Sequence, residues 1–463
     1  MSRSPEVLRG DRRACFASIR WMLEAIAPVV VVAALVLLRN ATPAGAQVIA
    51  NPSAAITAMG GTGTGSARGI DAPAWNPAGL GLPSSGKFSF SAIVNAGGAG
   101  GSGPIGLKDF KPYANDSVPD AVRRAWLDRI RANGGQSMSA GGDFSILAIA
   151  IGPVALSYSA TARASGNIPP DAAEVLLFGN YGYLGAVRNY QLRGARVDGS
   201  LLSTAAVSWG IPLNVRIGRF DEQHFAIGVT GKYLMGHALA IAADAGSDIF
   251  ASPVDVNVKL RTVSSDTGGK GKNDGFPMKG SGMGVDLGVA WEGGPLRVGI
   301  AVRDVVNTFA WQSGDLFTQL TTLRYSGTTK TQTTSPWAKA STLSAAGRDS
   351  VAQLVNPLKV DPSVAVGVSW DVGGRLTLAG EFQQRTGSGI ATSPTSRIGV
   401  GAQWKVIPFL PLRAGYSQTS DANFVTGGVG LDFAWVRLDL AGGVNTKTSG
   451  DGVAAFSLTF GRH

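Results

Sequence analysis

The sequence predicts an all-β protein, a transmembrane antiparallel β-barrel of about 14 strands with a glycine-rich plug at its amino-terminal end. Three observations predict it. Residues 87–463 divide into short segments in which apolar side chains alternate with small or polar ones, separated by Gly, Pro, Asn and Asp turns. No later stretch reaches the roughly 18 uninterrupted apolar residues that a transmembrane helix would show. Glycine, at 64 of 463 residues, is about twice its usual share, and charged residues make up only 16%, against roughly 25% in soluble domains.

Residues 1–46 read as a secretory signal peptide. Arg9, Arg12, Arg13 and Arg20 form a basic leader, Ala25 to Leu38 is an uncharged apolar run, and Ala44-Gly45-Ala46 has the small-x-small cleavage pattern. The apolar run is shorter than the ~20 residues of a spanning helix. Gln47 would be the first mature residue, and Met22 is an alternative start to Met1. The one cysteine, Cys15, leaves with the leader, which excludes a disulfide scaffold and a Cys-ligated metal site. The formal net charge of +10 would ordinarily raise nucleic acid as a partner, but the basic residues are scattered and an exported chain does not meet a genome. The expected organisation is a signal peptide over 1–46, a plug over 47–86 and a barrel over 87–463.

The alternation is clearest over 281–292, where Met283, Val285, Leu287, Val289 and Trp291 oppose Gly284, Asp286, Gly288, Ala290 and Glu292. After Gly293-Gly294-Pro295 it resumes with Leu296, Val298, Ile300 and Val302 against Arg297, Gly299, Ala301 and Arg303. Val364 to Trp370 follow, then Leu376, Leu378 and Phe382 against Glu381. Further along, Ile398, Val400 and Trp404 oppose Gly399, Gly401 and Lys405, and Leu412 and Tyr416 oppose Arg413. Val429, Leu431 and Phe433 oppose Asp432; Val436, Leu438 and Leu440 oppose Arg437 and Asp439; Phe456, Leu458 and Phe460 close the series. Weaker segments lie near 87–96, 142–151, 154–164, 200–211, 224–236 and 253–264. Residues 118–131 (Val118, Val122, Trp126, Leu127, Ile130) have a helical apolar period, a second helix is expected at 171–178, and 307–361 reads as an extended loop.

Two folds share this alternation. A soluble sandwich turns the apolar face inward; an outer-membrane barrel turns it to lipid. The barrel is favoured by segments long enough to cross a bilayer when tilted. Trp and Tyr also sit near segment ends, and very short turns (Gly373-Gly374, Ala434-Trp435) alternate with long connections.

Residues 47–86 do not alternate. Met59-Gly60-Gly61 opens a glycine-rich run to Gly65, and Asp71 is followed by Trp75-Asn76-Pro77-Ala78-Gly79-Leu80. Such a segment folds tightly and irregularly, and one placed just ahead of the first strand suits a plug. These residues resemble the amino-terminal signature of the FadL-like outer-membrane proteins. That group includes long-chain fatty-acid and aromatic-hydrocarbon transporters and the related PorV-like barrels. Gly231-Lys232-Tyr233-Leu234-Met235-Gly236, Gly282 to Gly288 and Pro411-Leu412-Arg413-Ala414-Gly415-Tyr416 are similar to the wider group. The resemblance implies a 14-stranded barrel in the outer membrane, its lumen blocked by the amino-terminal segment. It also implies passive passage of hydrophobic small molecules past the plug. Its other branch implies a barrel that docks a secretion-system or envelope protein.

Catalysis has little support. His224, His237 and His463 fall in no nucleophile or metal spacing, no G-x-S-x-G is present, and Gly60 to Gly63 lack the lysine and context of a phosphate loop. No cofactor is expected, and lipid is the expected surrounding. The lumen parity carries Asp286, Glu292, Arg297, Arg303, Glu381, Lys405, Arg413, Asp432, Arg437 and Asp439. Interspersed signs predict ion pairs that satisfy one another and grip the plug, rather than a channel selective for one charge.

Overall fold

The computed structural model describes residues 53–179, 182–184, 188–214, 223–251, 254–267, 277–326, 329–387, 389–390, 395–419, 422–447 and 452–462. The expected signal peptide, residues 47–52 of the expected plug and His463 lie outside the described residues.

Fourteen strands form the wall: β1 Phe88–Gly103, β2 Gln136–Ile151, β3 Val154–Ile168, β4 Arg196–Leu213, β5 Gln223–Asp244, β6 Gly280–Gly293, β7 Leu296–Asn307, β8 Ser363–Val372, β9 Leu376–Arg385, β10 Ser396–Ile407, β11 Leu410–Thr419, β12 Asn423–Phe433, β13 Val436–Asn445 and β14 Gly452–Arg462. Each pairs antiparallel with the next. β14 pairs with β1, Phe88 opposite Arg462 and Ala96 opposite Phe456, which closes the sheet. Closure matters because a bilayer offers no water to an unpaired strand edge. No helix among the described residues is long and apolar enough to cross a membrane.

The two faces of the wall separate as the parity requires. On β8, Ser363, Ala365 and Ser369 are buried, while Val364, Val366, Val368 and Trp370 are 39–50% exposed on the outside. Ile398, Val400 and Trp404 of β10 are exposed in the same way. A contiguous outer belt of large apolar side chains is a surface for lipid, not water. The barrel is therefore transmembrane.

Its two rims differ. At one rim the turns are tight and use glycines at positive φ: Gly152, Gly294, Gly373 and Gly374. Trp209, Trp291, Trp370, Trp404 and Trp435 all stand beside these short turns, as an interfacial girdle does. At the other rim the connections after β1, β3, β5 and β7 are long, while the one from Thr419 to Asn423 is short. Helices α1 Ala54–Ala58 and α2 Ala72–Trp75 lie in the plug; α3 Asp120–Ala132, α4 Pro170–Phe178 and α5 Ala345–Val355 lie in the long connections. α3 buries Trp126, Leu127 and Ile130 against Ile105 and Ala173 of α4, with Arg129 tied to Asp109 at 2.8 Å on its outer side.

One expectation needs correction. The segment at 253–264 is a strand, Val254–Ser264, but it is not part of the wall. It pairs with the extension of β5 at Ala240–Asp244 and with Phe317–Ser326. Alternation marks any half-buried strand and does not by itself distinguish wall from loop. Residues 307–361 form the long connection between β7 and β8, and within it Phe317–Ser326, Thr329–Thr334 and α5 are folded.

Candidate functional site

The plug is a backbone laid against glycines. All five residues of α1 are buried; Ala54 N donates to Ser457 Oγ of β14 at 3.3 Å, and Ala58 O accepts from Thr426 Oγ1 of β12 at 3.0 Å. Beyond α1 the chain reverses through Gly60 and Gly61, at φ +69° and +80°, a region closed to most side chains. A Cβ on Gly60 would stand 2.6 Å from Tyr416 O. On the wall, Gly228, Gly288, Gly299, Gly367, Gly401 and Gly415 present no side chain where plug atoms abut them.

Asn76 shows why the Asn-Pro pair stands in the motif. Its Oδ1 accepts from Ala78 N at 3.1 Å and caps the turn Pro77–Gly81. Its Nδ2 donates to Thr64 O at 3.1 Å and to Val289 O of β6 at 2.9 Å. One side chain therefore ties two plug segments and the wall together. Ala78, Gly79 and Leu80 are buried behind it, and Met59 is 8% exposed. Asp71 Oδ2 accepts from Ser53 Oγ at 3.3 Å.

Buried ion pairs hold the plug from the wall side. Arg397 of β10, 2% exposed, pairs with Glu381 of β9 and donates to Gly61 O at 2.6 Å and Gln383 Oε1 at 3.0 Å. Glu381 in turn accepts Thr64 N at 2.7 Å. Two guanidinium groups stand over the Trp75 ring, Arg397 at 5.3 Å and Arg303 at 5.6 Å from its centroid, and Arg303 Nη1 donates to Ala74 O at 3.3 Å. Glu292 accepts Ser84 Oγ at 2.6 Å and Arg68 at 3.4 Å. Such pairs order a structure more than they stabilise it, because desolvation consumes most of the attraction.

The other charges of that parity join local pairs. Arg413 meets Asp439 at 2.6 Å and Gln403 at 2.7 Å; Arg437 meets Asp439 at 2.8 Å. Arg297 pairs with Asp371. Asp286 meets Lys232 at 2.7 Å, and Lys232 also meets Asp304 at 2.6 Å. Lys405 and Asp432, both half-buried, join none of these pairs. Sequence reasoning missed Arg397, Lys232 and Arg68. Arg397 was legible: it shares the parity of Gly399 and Gly401 one step before the segment read there. Lys232 was read only as part of the Gly231 to Gly236 stretch, and neither it nor Arg68 was assigned a charge partner until Asp286 and Glu292 were found beside them.

Two cavities complete the site. The first, of about 120 Å³, lies inside the barrel next to the plug; Pro73 and Ala74 bound it on the plug side, with Thr161, Thr230 and Arg303 on the wall. The second, of about 320 Å³, lies among the long connections and is walled by Ile105, Phe110, Trp126, Ile130, Leu176 and Leu177. Between the first cavity and the long-loop rim lies an apolar cluster, in which Leu202, Leu234, Leu239 and Ile241 of β4 and β5 pack with Trp311, Val351, Val355 and Val360. Among the described residues no three His, Cys, Asp or Glu side chains gather where a metal ion could be held. His237 sits at a break in the β4–β5 register and bonds Ser203 at 2.7 Å; His224 is exposed.

Residues 79–440, most of the wall, match the family of unknown function DUF5723. The chain belongs to that family. No match is found among curated proteins. Among solved structures this DUF5723 member is similar to the toluene transporter TbuX of Ralstonia pickettii, at 15% identity and a TM-score of 0.48, over 90% of this chain and 99% of that one. The toluene transporter TodX of P. putida aligns at 13% identity and a TM-score of 0.47, over 90% and 99% of the two chains. A FadL homologue of Pseudomonas aeruginosa aligns at 13% identity and a TM-score of 0.46, over 90% and 100%.

Proposed function

We propose that this barrel sits in the outer membrane and admits hydrophobic small molecules passively, without enzymatic chemistry. The class is the one named for the toluene transporters above; what supports it here is the chain's own geometry. The carrying observation is the apolar pocket of about 320 Å³ around Trp126, formed where α3 and α4 pack on each other beside the strand ends. A cavity lined by Phe, Trp, Ile and Leu side chains recovers roughly 25 cal/mol for each Å² of apolar ligand surface removed from water, and it has few groups to bind anything polar. Capture there is followed by rearrangement of the plug and release to the short-turn side or through the wall. β1 shifts its pairing register with β14 between Phe90 and Ala96 and with β2 between Ala92 and Asn95, an irregular place in the wall that suits lateral release.

Proteoliposome uptake of toluene and of a long-chain fatty acid tests this reading. Wild-type protein should accelerate entry of at least one; Trp126→Ala should reduce that rate several-fold, and removal of 47–80 should change it. Equal rates in protein-free liposomes and in all three proteins would sink the proposal.

A second reading has its own observation. The strand Thr329–Thr334 lies at the margin of the loop sheet, paired with Phe317–Ser326, and residues 331–334 are exposed. A sheet margin of this kind suits pairing with a partner protein of the envelope or a secretion system. Recovery of a stoichiometric partner from gently solubilised membranes, lost on Thr331→Pro, would favour it over transport.

A further inference from the structure

The Trp126 pocket lies on the outside of the barrel. β3 pairs with β4 from Val154 to Asn167 without a register shift, so its side chains alternate strictly. Ser157, Ser159, Thr161 and Arg163 border the inner cavity. Val154 and Leu156, of the other parity, are 41% and 50% exposed on the lipid side. Gly166 and Ile168 share that outward parity. Their partners face the same way, for Met138 and Val197 stand opposite Gly166, and Gln136 opposite Ile168. A Cβ on Gly166 would stand 2.9 Å from Met138 Cγ and 3.4 Å from Val197 Cγ2. Arg196, one residue before Val197, points the other way and donates to Leu354 O of α5 at 3.1 Å.

Gln136, Met138 and Ile168 are the strand residues that wall the pocket. It is therefore mounted on the outward face of β2 and β3, continuous with the lipid belt, and not in the lumen. β3 has 15 residues, and about 9–11 tilted residues cross a bilayer. Ile168 accordingly stands at the edge of the outer leaflet, on the long-loop side that faces the exterior.

The lining fits what lies there. Gln136 engages both polar ends with Ile105, accepting its N–H at 3.0 Å and donating to its carbonyl at 2.9 Å. The interior left is apolar, and its 320 Å³ or so holds about ten methylene groups, each close to a water's roughly 30 Å³. Phe110 and Leu176 border the pocket yet are 48% and 73% exposed, a surface that favours lipid over water. Lys108 and Lys111, exposed on either side of Phe110 in the chain, join no ion pair among the described residues.

We propose that the pocket takes an acyl chain of a phosphorylated outer-leaflet lipid, the chain between α3 and the outward face of β2 and β3 and the phosphate at Lys108 and Lys111. The proposal rests on the reading of this pocket as a site for apolar ligands. It adds the side from which the pocket is filled, the leaflet and not the lumen.

The test is photolabelling of the full barrel in liposomes that contain phosphatidylglycerol with a diazirine at the end of one acyl chain, the adducts being mapped by peptide mass spectrometry. Wild type should carry adducts within 105–138 and 168–178 as well as on the belt at 364–370. Leu176→Glu sets a charge at the mouth and should cut loop labelling at least fivefold with belt labelling unchanged. Ala173→Phe fills the pocket without a charge and should do the same, and in both variants the heat-dependent gel shift should persist. Lys108→Glu with Lys111→Glu should halve loop labelling by this lipid or reduce it further, and leave labelling by a diacylglycerol probe as it is. Adducts confined to the belt in wild type, or loop labelling undiminished in Leu176→Glu and Ala173→Phe, would overturn the proposal; equal effects on the two probes would overturn the part given to the lysines. Loop labelling in a barrel that accelerates no uptake would leave this site standing and sink the transport reading, and uptake without loop labelling would do the reverse.

Discussion

Two layers cross the lumen, held by two kinds of contact. Its floor, towards the short-turn rim, is backbone against backbone: plug residues lie on wall glycines and are tied by Asn76, Arg397 and Glu381. Its roof, towards the long-loop rim, is side chain against side chain, with Val351 and Val355 of α5 packed on Leu239 and Ile241 of β5. β5 passes through both, from Gly228 at the plug through Thr230 and Lys232 at the cavity to Leu239 and Ile241 under the roof. Polar, directional contacts define one position and lose much when it is left. Apolar contacts are non-directional and re-form in shifted arrangements. The floor is built to hold one state, and the roof tolerates movement.

The largest expected effect lies in the floor. Arg397→Ala strands Glu381 without its partner, a loss of about 3–5 kcal/mol when one member of a buried pair is removed. Planar-bilayer conductance should rise, and protease should cut within 53–86, while the heat-dependent gel shift of the barrel persists. Conductance equal to wild type would mean that the roof, not the floor, seals the lumen. Next comes Gly60→Val, which puts a branched side chain at φ +69° for about 1–3 kcal/mol of backbone strain and presses on Tyr416 O; a smaller conductance increase is expected. Val355→Ala removes apolar contact from the roof, roughly 1–2 kcal/mol. Hydrogen exchange of α5 should quicken with no gain in conductance, and a gain would erase the distinction drawn between the two closures.

The smallest effect concerns the loop layer. Burial would raise the pKa of the Glu174 carboxyl, but Arg188, the Tyr183 backbone N–H and Arg131 outweigh it and hold the pKa below the usual carboxylate range. A depressed pKa means that α4 docking is fully supported above pH ~4.3, the usual value for a free Glu, and loses support as the pH falls below it. Tryptophan fluorescence near Trp126 should report a slight acid-induced loosening that Glu174→Gln removes; identical acid profiles for the two proteins would discount the ion-pair cluster as its origin.

Much of the wall was legible in single residues. The parity of Val364, Val366, Val368 and Trp370 against Ala365 and Gly367 names both faces of β8 before any neighbour is known. The same reading failed at 253–264, because a strand that covers a loop alternates as well as one that faces lipid. In the plug, the glycines and Asn76-Pro77 announced an irregular, tightly turned segment. Nothing in them announced that Asn76 reaches Val289, or that Trp75 meets Arg303 and Arg397, since those partners are more than two hundred residues away in the chain.

Period, parity and turn chemistry are local, set by the geometry of one strand and the φ of one glycine, so barrel class, outer face and the existence of a compact leading segment followed from residue order alone. Closure is not local. Which inward charge finds a partner and which inward glycine meets the plug depend on bringing β3, β5, β7 and β10 around a common lumen. That arrangement arises only when the last strand pairs with the first.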